Sequence, residues 1–229
     1  SYINSALLKI PFNLFNIISE YISLNSNVRV AIVGGYIRDL FITKIHKNTF
    51  FNPLDIDIVT EGSSVDLAKF IKKNISNVEL CLIKEFEIYD TVELSINNLK
   101  IDIASARKEN YLAPGLNPIV KHTNLEKDLE RRDFSINAIA YEISKKEIID
   151  LFDGIQHIKK KELHLLHKNS IKDDPTRILR GAKYTSRLGF NISEDSLNQA
   201  KNIINKWPWE LKTNVYEKKF PPAISIRMR

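Results

Sequence analysis

The chain has 229 residues, of which 43% are hydrophobic, and this is enough for one large domain or two small domains with their own cores. Lys and Arg number 34 against 28 Asp and Glu, so the formal net charge is +6, a balance that suits a polyanionic partner such as nucleic acid. The composition excludes a disordered chain, and the single Cys81 excludes an internal disulfide and any zinc site built from several cysteines.

No apolar run approaches the roughly 20 residues that a membrane-spanning helix needs. The N-terminus also lacks the basic segment and apolar core of a signal peptide. The sequence therefore predicts a cytoplasmic protein without a membrane partner.

Helices and strands alternate in the first part of the chain. An amphipathic segment, residues 3–24, predicts a helix interrupted near Pro11, and residues 28–33 predict a strand that ends at Gly34 and Gly35. After these glycines we predict, in order, the start of a helix at 36–41, a loop at 46–53, a strand at 54–59 and a helix at 63–75 with Ser63 or Ser64 as its N-cap.

The remaining elements divide near residue 160. Before that point we predict strands at 78–83, 91–96 and 99–105, a loop at 110–124, a helix from 125 to about 140, and a short strand with a turn at 147–154. Beyond it the pattern is mostly helical. The sequence therefore predicts an α+β domain over residues 1–160 and a helical region over residues 161–229.

The segment VGGYIRDLF, from Val33 to Phe41, combines a strand, two glycines and a helix start. Such a turn leaves backbone N–H groups unpaired at the positive end of a helix, where a phosphate binds well. Arg38, in the first helical turn, can contact a phosphate through two N–H groups. An ordinary tight turn explains the two glycines equally well, so both interpretations stay open from this segment alone.

Acidic residues alternate with apolar residues in two predicted strands. In LDIDIV, Asp55 and Asp57 lie on one face, and in LKIDIAS, Asp102 follows the same pattern. A solvated strand face explains one such pair. Three converging carboxylates are costly to keep ionised without cations, however, and oxygen ligands suit Mg²⁺. A phosphate-binding turn followed by these acids indicates nucleotidyl transfer assisted by two metal ions.

Four motifs in order, VGGYIRDLF, LDIDIV, RRDFSINAIAY and DDPTRILRGAKYTSRLGF, carry a family resemblance that covers roughly residues 28–195. The chain resembles the class II tRNA nucleotidyltransferases and the bacterial poly(A) polymerases. The resemblance implies a polymerase-β-like nucleotidyltransferase head, a mixed sheet with helices, followed by a helical neck. It further implies that the body and tail regions of such proteins lie outside this chain.

The resemblance also implies roles for individual residues. It makes Asp55 and Asp57 the metal-binding catalytic carboxylates, and Asp102 a third catalytic acid where many relatives have glutamate, so that direct metal ligation by Asp102 stays open. The nucleotide-binding residues that it implies are Gly34, Gly35, Arg38, Arg132, Asp133, Asn137, Asp174, Arg177 and Arg180. For RRDFSIN, an ordinary helix with solvated Arg131 and Arg132 is the alternative.

The segment DDPTRILR has two explanations. Asp174 before Pro175 is a good N-cap with proline at the first helical position, which is a sufficient structural reason for both residues. In the family that the chain resembles, Asp174 and Arg177 would instead select the base of CTP or ATP. Further along this helix, Arg180, Lys183 and Arg187 share one side, which suits either an RNA contact or a solvated basic face.

The resemblance implies an Mg²⁺-dependent enzyme that adds C, A or both to the 3′ end of tRNA, with CTP and ATP as substrates. CCA, CC-only and A-only addition stay open as subclasses. Poly(A) addition and a catalytically silent RNA-binding module stay open as alternatives, although a module that only bound RNA would gain by losing three mutually repelling acids. The sequence leaves the oligomeric state undetermined.

Overall fold

The computed structural model describes residues 2–7, 10–25, 27–47, 55–76, 81–86, 90–112 and 116–205. The strands within these ranges are β1 Val30–Val33, β2 Asp55–Thr60, β3 Cys81–Phe86, β4 Thr91–Ile96, β5 Leu99–Ser105, β6 Arg107–Asn110, β7 Ile119–His122, β8 Ile139–Glu142, β9 Glu147–Asp150, β10 Glu162–Leu163 and β11 Asn191–Ile192. The α-helices are α1 Tyr2–Leu7, α2 Leu14–Leu24, α3 Gly35–His46, α4 Ser64–Asn74, α5 Leu125–Glu130, α6 Gly154–Lys160, α7 Ser170–Asp173, α8 Thr176–Leu188 and α9 Glu194–Ile204.

A mixed sheet organises the first part of the chain. Its strand order is β3-β4-β5-β2-β1-β8-β9, and β2 and β5 pair in parallel while the other neighbours pair antiparallel. In β5, Leu99, Ile101 and Ile103 are buried and alternate with less buried residues. These apolar residues form one core with α1 to α4 on one side of the sheet. The opposite side of β2 and β5 therefore carries the polar side chains.

Two predicted local features are confirmed. A 3₁₀ turn at Pro11–Asn13 separates α1 from α2, where an interruption was predicted at Pro11. Ser63 caps α4, because its side chain accepts a hydrogen bond from the Asp66 N–H at 3.1 Å. The predicted loop at 46–53 and the predicted strand at 78–83 each fall partly outside the described residues.

The predicted helix from 125 to about 140 is correct only for its first six residues. Helix α5 ends at Glu130, a 3₁₀ turn follows at Ser135–Asn137, and β8 then runs between β1 and β9. All residues of β8 are buried. A strand that is buried on both faces loses its alternation of apolar and polar residues, so periodicity alone does not distinguish it from a buried helix.

The predicted loop at 110–124 is also partly wrong. Strand β7 pairs antiparallel with β6, so that Ile119 lies opposite Asn110 and His122 lies opposite Arg107. Residues 113–115, which lie between these two strands in the sequence, are outside the described residues. The ribbon packs beside α5, which covers part of the polar side of the sheet.

Between residues 161 and 205 the described chain is mostly helical, with one short parallel pair of strands. β10 pairs with β11, so that Glu162 lies opposite Asn191 and Leu163 lies opposite Ile192. The predicted division near residue 160 stays a prediction. Within the described part of the chain, we find no helix that is long and apolar enough to cross a membrane.

Candidate active site

A cavity of about 520 Å³ lies between the polar side of the sheet and helix α8. It brings together every site residue predicted from the sequence except Asp102. Those lining residues are Gly34, Gly35, Arg38, Asp55, Asp57, Arg132, Asp133, Asn137, Asp174, Arg177 and Arg180. The four sequence motifs are therefore neighbours in space as well as in order.

The turn between β1 and α3 requires glycine at its first position. Gly34 has φ +70°, and a Cβ placed there would lie 3.1 Å from Asp57 Oδ2 and 3.4 Å from Arg132 Nη1. Both the backbone angle and the lack of space exclude a larger residue without strain. Gly34 thus lets the start of α3 approach the carboxylate of Asp57.

The side chain of Arg38 is only 3% exposed, and its contacts hold it in one orientation. Its Nε donates to Asp39 Oδ1 at 2.7 Å, and its Nη1 donates to Asn137 Oδ1 at 2.7 Å. The Tyr184 ring lies against the guanidinium, 5.3 Å from Cζ to the ring centroid. Nη2 lies on the Gly35 side, where a Cβ on that glycine would be 3.5 Å away. These contacts direct a buried positive charge toward the glycine turn.

Asp55 and Asp57 share the polar face of β2, because Ile56 and Ile58 between them point into the core. Burial raises the pKa of Asp57, and the neighbouring Asp102 and Asp55 raise it further, while Arg132 opposes them. A carboxylate in these surroundings gains from a nearby cation. Its oxygens and those of Asp55 are the type of ligand that a divalent metal ion prefers.

Asp102 lies directly opposite Asp57 in the parallel pairing of β2 and β5, but it contacts a lysine. Lys100 Nζ lies 3.2 Å from Asp102 Oδ2 and 3.1 Å from Glu93 Oε2. In the part of the chain that the structure describes, no three acidic, histidine or cysteine side chains form a ready metal site. Asp55 and Asp57 can offer two carboxylates to a metal ion, while Asp102 shares its Oδ2 with Lys100.

Arg132 is mostly buried, so the alternative of a solvated charged helix is wrong for this residue. Its Nη2 donates to Asp128 Oδ2 at 3.0 Å, and Asp128 is fully buried. Its Nε has no hydrogen-bond partner among the described residues. The neighbouring Arg131 is also mostly buried, and its Nη2 donates to Asp128 Oδ1 at 2.7 Å. Asp128 thus fixes both arginines, and Arg132 lines the cavity.

Asp133 connects the 3₁₀ turn to α8. Its Oδ1 accepts hydrogen bonds from the Phe134 N–H at 2.7 Å and from Asn137 Nδ2 at 3.0 Å. Its Oδ2 accepts from Arg180 Nε at 2.7 Å. Because Asn137 also binds Arg38, a continuous set of polar contacts runs from α3 to α8 across the cavity wall.

Asp174 and Arg177 line the cavity and also stabilise the chain locally. Asp174 Oδ1 accepts a hydrogen bond from the Thr176 N–H at 3.1 Å, but the N-cap residue of α8 is Pro175, so the prediction of Asp174 as the N-cap is wrong. Helix α8 begins at Thr176, so Pro175 precedes the helix instead of taking its predicted first position. The guanidinium of Arg177 is buried and donates to Ser170 Oγ and to the Arg131 carbonyl. A structural role therefore exists for both residues.

Arg107, Glu109 and Tyr111 also line the cavity, and the sequence reasoning missed them. Tyr111 Oη donates to Glu109 Oε2 at 2.7 Å, and Arg131 Nη1 donates to Glu109 Oε1 at 2.8 Å. Burial raises the pKa of the Tyr111 hydroxyl, so this group stays a proton donor. All four residues of β6, RKEN, are polar, so the strand has no alternation of apolar and polar residues that could have identified them.

Comparison with known proteins identifies the family. The model of the poly(A) polymerase head domain matches residues 30–164. The chain belongs to this family. The predicted resemblance and the predicted mixed α+β head are confirmed, since the solved structure of a CCA-adding enzyme in its apo form matches at a TM-score of 0.74 and 33% identity, over 88% of this chain and 47% of that one.

Relatives within the family add different nucleotides. The A-adding tRNA nucleotidyltransferase of Aquifex aeolicus is 36% identical over 182 residues, which are 78% of this chain and 21% of the relative. The CC-adding tRNA nucleotidyltransferase of Deinococcus radiodurans is 28% identical over 185 residues, 78% of this chain and 46% of the relative. This chain thus spans half or less of the length of these relatives. Nucleotidyltransferases of the family generally use a divalent metal ion.

A tRNA nucleotidyltransferase solved with a primer tRNA and an incoming ATP analogue also matches this chain. The TM-score is 0.66 and the identity 31%, over 82% of this chain and 50% of that one. The matching fold has therefore been observed with both types of ligand in a relative.

Proposed function

We propose that this chain catalyses the addition of C, A or both to the 3′ end of tRNA from CTP and ATP. The observation that carries the proposal is a single cavity that combines the glycine turn, the buried Arg38 and the carboxylates of Asp55 and Asp57. A triphosphate needs positive charge and N–H donors, whereas a transfer step needs metal-binding acids beside them. Relatives that add A, CC or CCA to tRNA support the choice of substrate.

The triphosphate would bind at the glycine turn. The N-terminus of α3 supplies backbone N–H groups and the positive end of the helix dipole, and Gly34 and Gly35 allow close approach of the phosphates. Arg38 adds a guanidinium whose orientation Asp39 and Asn137 already fix. Arg132 and Asn137 lie beside the glycine turn and Arg38, and together with Asp133 they would contact the sugar and phosphates.

The transfer step would take place beside Asp57, which lies next to the glycine turn. Asp55 and Asp57 would hold Mg²⁺, which when bound neutralises the triphosphate and assists attack by the RNA 3′ hydroxyl. The hydroxyl oxygen forms a bond to the α-phosphorus while the bond from that phosphorus to the bridging oxygen breaks. Pyrophosphate leaves with the electron pair of the broken bond, and the hydroxyl proton passes to water. Asp102, opposite Asp57, would act as the third acid of this site.

The base would be selected at the start of α8. Asp174 offers acceptors, and Arg177 and Arg180 offer donors, on the cavity wall opposite the carboxylates. The basic residues further along the same helix, Lys183 and Arg187, line the cavity and would attract the RNA backbone. A cytoplasmic location stays a prediction.

One experiment distinguishes the possible activities. The full chain is incubated with Mg²⁺ and tRNAs that end before, within and after CCA, and each nucleotide is offered separately. We expect incorporation of C, A or both on the matching tRNA ends and little incorporation of U or G. Repeated addition of A to any RNA end would instead identify a poly(A) polymerase. Tight tRNA binding with no incorporation on any substrate would support a silent RNA-binding module and overturn the proposal.

A further inference from the structure

Asp39 joins the phosphate-facing arginine to helix α8. Its Oδ1 accepts the hydrogen bond from Arg38 Nε at 2.7 Å, while its Oδ2 accepts from Arg187 Nη2 at 3.0 Å. Arg187 lies 148 residues further along the chain. One carboxylate, with a separate oxygen for each partner, thus connects α3 to α8 at the edge of the cavity.

The contacts of Arg38 explain why this carboxylate matters. Its guanidinium plane is set by two acceptors on different elements, Asp39 on α3 and Asn137 in the 3₁₀ turn. Asp39 is the charged one of the two, and hydrogen bonds to a charged partner are the stronger type. Loss of the Asp39 carboxylate would leave the neutral Asn137 and the ring of Tyr184 to orient the group.

We propose that Asp39 is a positioning residue for triphosphate binding and that Arg187 of α8 acts through it. This inference rests on the proposed function, in which Arg38 binds the triphosphate. Arg187 holds Oδ2 of Asp39, so that Oδ1 stays directed at Nε of Arg38. Docking of α8 thereby contributes to the triphosphate site through a side chain that need not contact the nucleotide.

A simple charge effect predicts the opposite sign for Asp39. A carboxylate near a bound triphosphate repels it, so removal of the negative charge should strengthen binding if Asp39 has no positioning role. The positioning role predicts weaker binding. In Asp39→Asn the amide oxygen can still accept from Arg38 Nε, but the amide nitrogen then faces the donor groups of Arg187.

The test measures the dissociation constant of a non-hydrolysable ATP analogue and of AMP for the full chain with Mg²⁺. We expect Asp39→Asn to weaken binding of the triphosphate about tenfold and binding of AMP much less. Arg187→Gln should weaken triphosphate binding about threefold to fivefold, since its pair with Asp39 is half exposed. Arg187→Lys keeps the positive charge and should retain most of the affinity for the triphosphate. Lys201→Gln on α9 removes the same charge outside the cavity and should leave both constants unchanged.

The double variant identifies how Arg187 acts. If Arg187 acts through Asp39, adding Arg187→Gln to Asp39→Asn causes little further loss, because the shared contact is already broken. Full additivity would overturn the coupling between them. Stronger or unchanged triphosphate binding by Asp39→Asn would overturn the positioning role itself.

Arg38→Ala separates this inference from the proposed function. If Arg38→Ala leaves the affinity for the triphosphate analogue unchanged, the assignment of Arg38 to the triphosphate fails, and the inference fails with it. If Arg38→Ala weakens binding while Asp39→Asn does not, only the inference fails. Melting temperatures of all variants identify any loss of affinity that comes from unfolding.

Discussion

At the scale of single residues, the surroundings of Asp57 disfavour its charged carboxylate, and a nearby cation would offset this effect. It is packed against the glycine turn, with Asp55 on its own strand and Asp102 opposite it on β5. Burial and these two acids raise its pKa, and Arg132 compensates only in part. A residue that destabilises the metal-free protein and yet fits a metal ion is typical of a functional site.

Asp55→Asn and Asp57→Asn test this directly. Each variant removes one charged metal ligand, so we expect nucleotide incorporation to fall at least about 100-fold. The melting temperature without metal should stay the same or rise for Asp57→Asn, because a buried, repelled charge is removed. Incorporation assays in Mg²⁺ and thermal melting measure the two effects. Substantial transfer by either variant would contradict the metal assignment.

Asp174→Asn tests base selection more directly than a substitution of Arg177 does. The variant keeps an oxygen that can accept from the Thr176 N–H, so the free energy of unfolding should change little. If Asp174 binds a base edge, a lost acceptor costs roughly 1–3 kcal/mol, which is about tenfold to hundredfold in discrimination. We expect the preference for CTP and ATP over UTP and GTP to fall by that factor. An unchanged order of the four nucleotides would leave Asp174 only its hydrogen bond with the Thr176 N–H.

Arg177→Ala is less suited than Asp174→Asn to a test of base selection. The structure shows that Arg177 is buried and donates to Ser170 Oγ and to the Arg131 carbonyl. Loss of these donors leaves buried acceptors unpaired, so we expect unfolding to become easier by about 2–4 kcal/mol. Chemical denaturation measures it, with the exposed Lys172→Ala on α7 as the control.

At the scale of elements, α6 supports the 3₁₀ turn that carries Asn137. A Cβ on Gly154 would lie 2.4 Å from the Ser135 carbonyl oxygen and 2.7 Å from Ile139 Cγ1. The first residue of α6 therefore touches backbone on one side and the buried strand β8 on the other. This close packing holds the turn, and with it the orientation of Arg38.

Gly154→Ala should destabilise the fold and misplace this turn. Because the nearest atom belongs to the backbone, the clash requires an element to move, and we expect a loss of about 2–4 kcal/mol. Gly189→Ala is the control. Gly189 lies at the end of α8 with φ +66°, and a Cβ added there has nothing within 4 Å. Only backbone strain of about 1 kcal/mol is therefore expected for this variant. Denaturation midpoints that are equal for the two variants would contradict the packing argument.

The contact between His157 of α6 and His164, which follows β10, is predicted to be sensitive to acid. His157 stacks on His164 with 3.7 Å between ring centroids, and its Nδ1 lies 2.7 Å from Ser135 Oγ. Burial lowers the pKa of His157, and the charge of His164 lowers it further, against Asp153 and Glu162. The folded state therefore favours neutral His157, so its contribution to stability is lost as the pH falls below its usual pKa.

We expect the melting temperature to fall between about pH 7.5 and about pH 5.5, and to fall less steeply in His157→Gln. Burial also lowers the pKa of His167, so part of the decline should persist in this variant. His122→Gln changes an exposed histidine and serves as the control. Identical slopes in the wild type and in His157→Gln would contradict the prediction.

The elements also show where sequence reasoning succeeds. Strands with one polar face, such as β2 and β5, were predicted because their alternation is visible in the letters. β8 was predicted as helix because it is buried on both faces, and β7 was missed because its residues alternate weakly. Candidate site residues came from motifs. Asp39 and Glu109 were missed because they contact residues of other elements, Arg187 and Arg131, that are distant in sequence.

At the scale of the whole molecule, the net charge is +6, and three of the basic residues, Arg180, Lys183 and Arg187, line the cavity from α8. We predict that tRNA binding weakens steeply with salt, because basic residues that contact phosphates release counterions. Affinity measured between about 50 mM and about 200 mM salt should fall at least tenfold. Arg187→Gln should lower the slope, with Lys201→Gln as control. A flat salt dependence would assign the basic face of α8 to solvation.

The parallel pair β10 and β11 closes the chain between residues 162 and 192 into a loop that contains α7 and α8. A segment tied at its base can open as one cooperative unit while the sheet stays folded. Opening would withdraw Asp174, Arg177 and Arg180 together and leave the glycine turn and the carboxylates in place. If Asp174, Arg177 and Arg180 bind the base as proposed, bound nucleotide should protect the amides of α8 from hydrogen exchange more than those of β2.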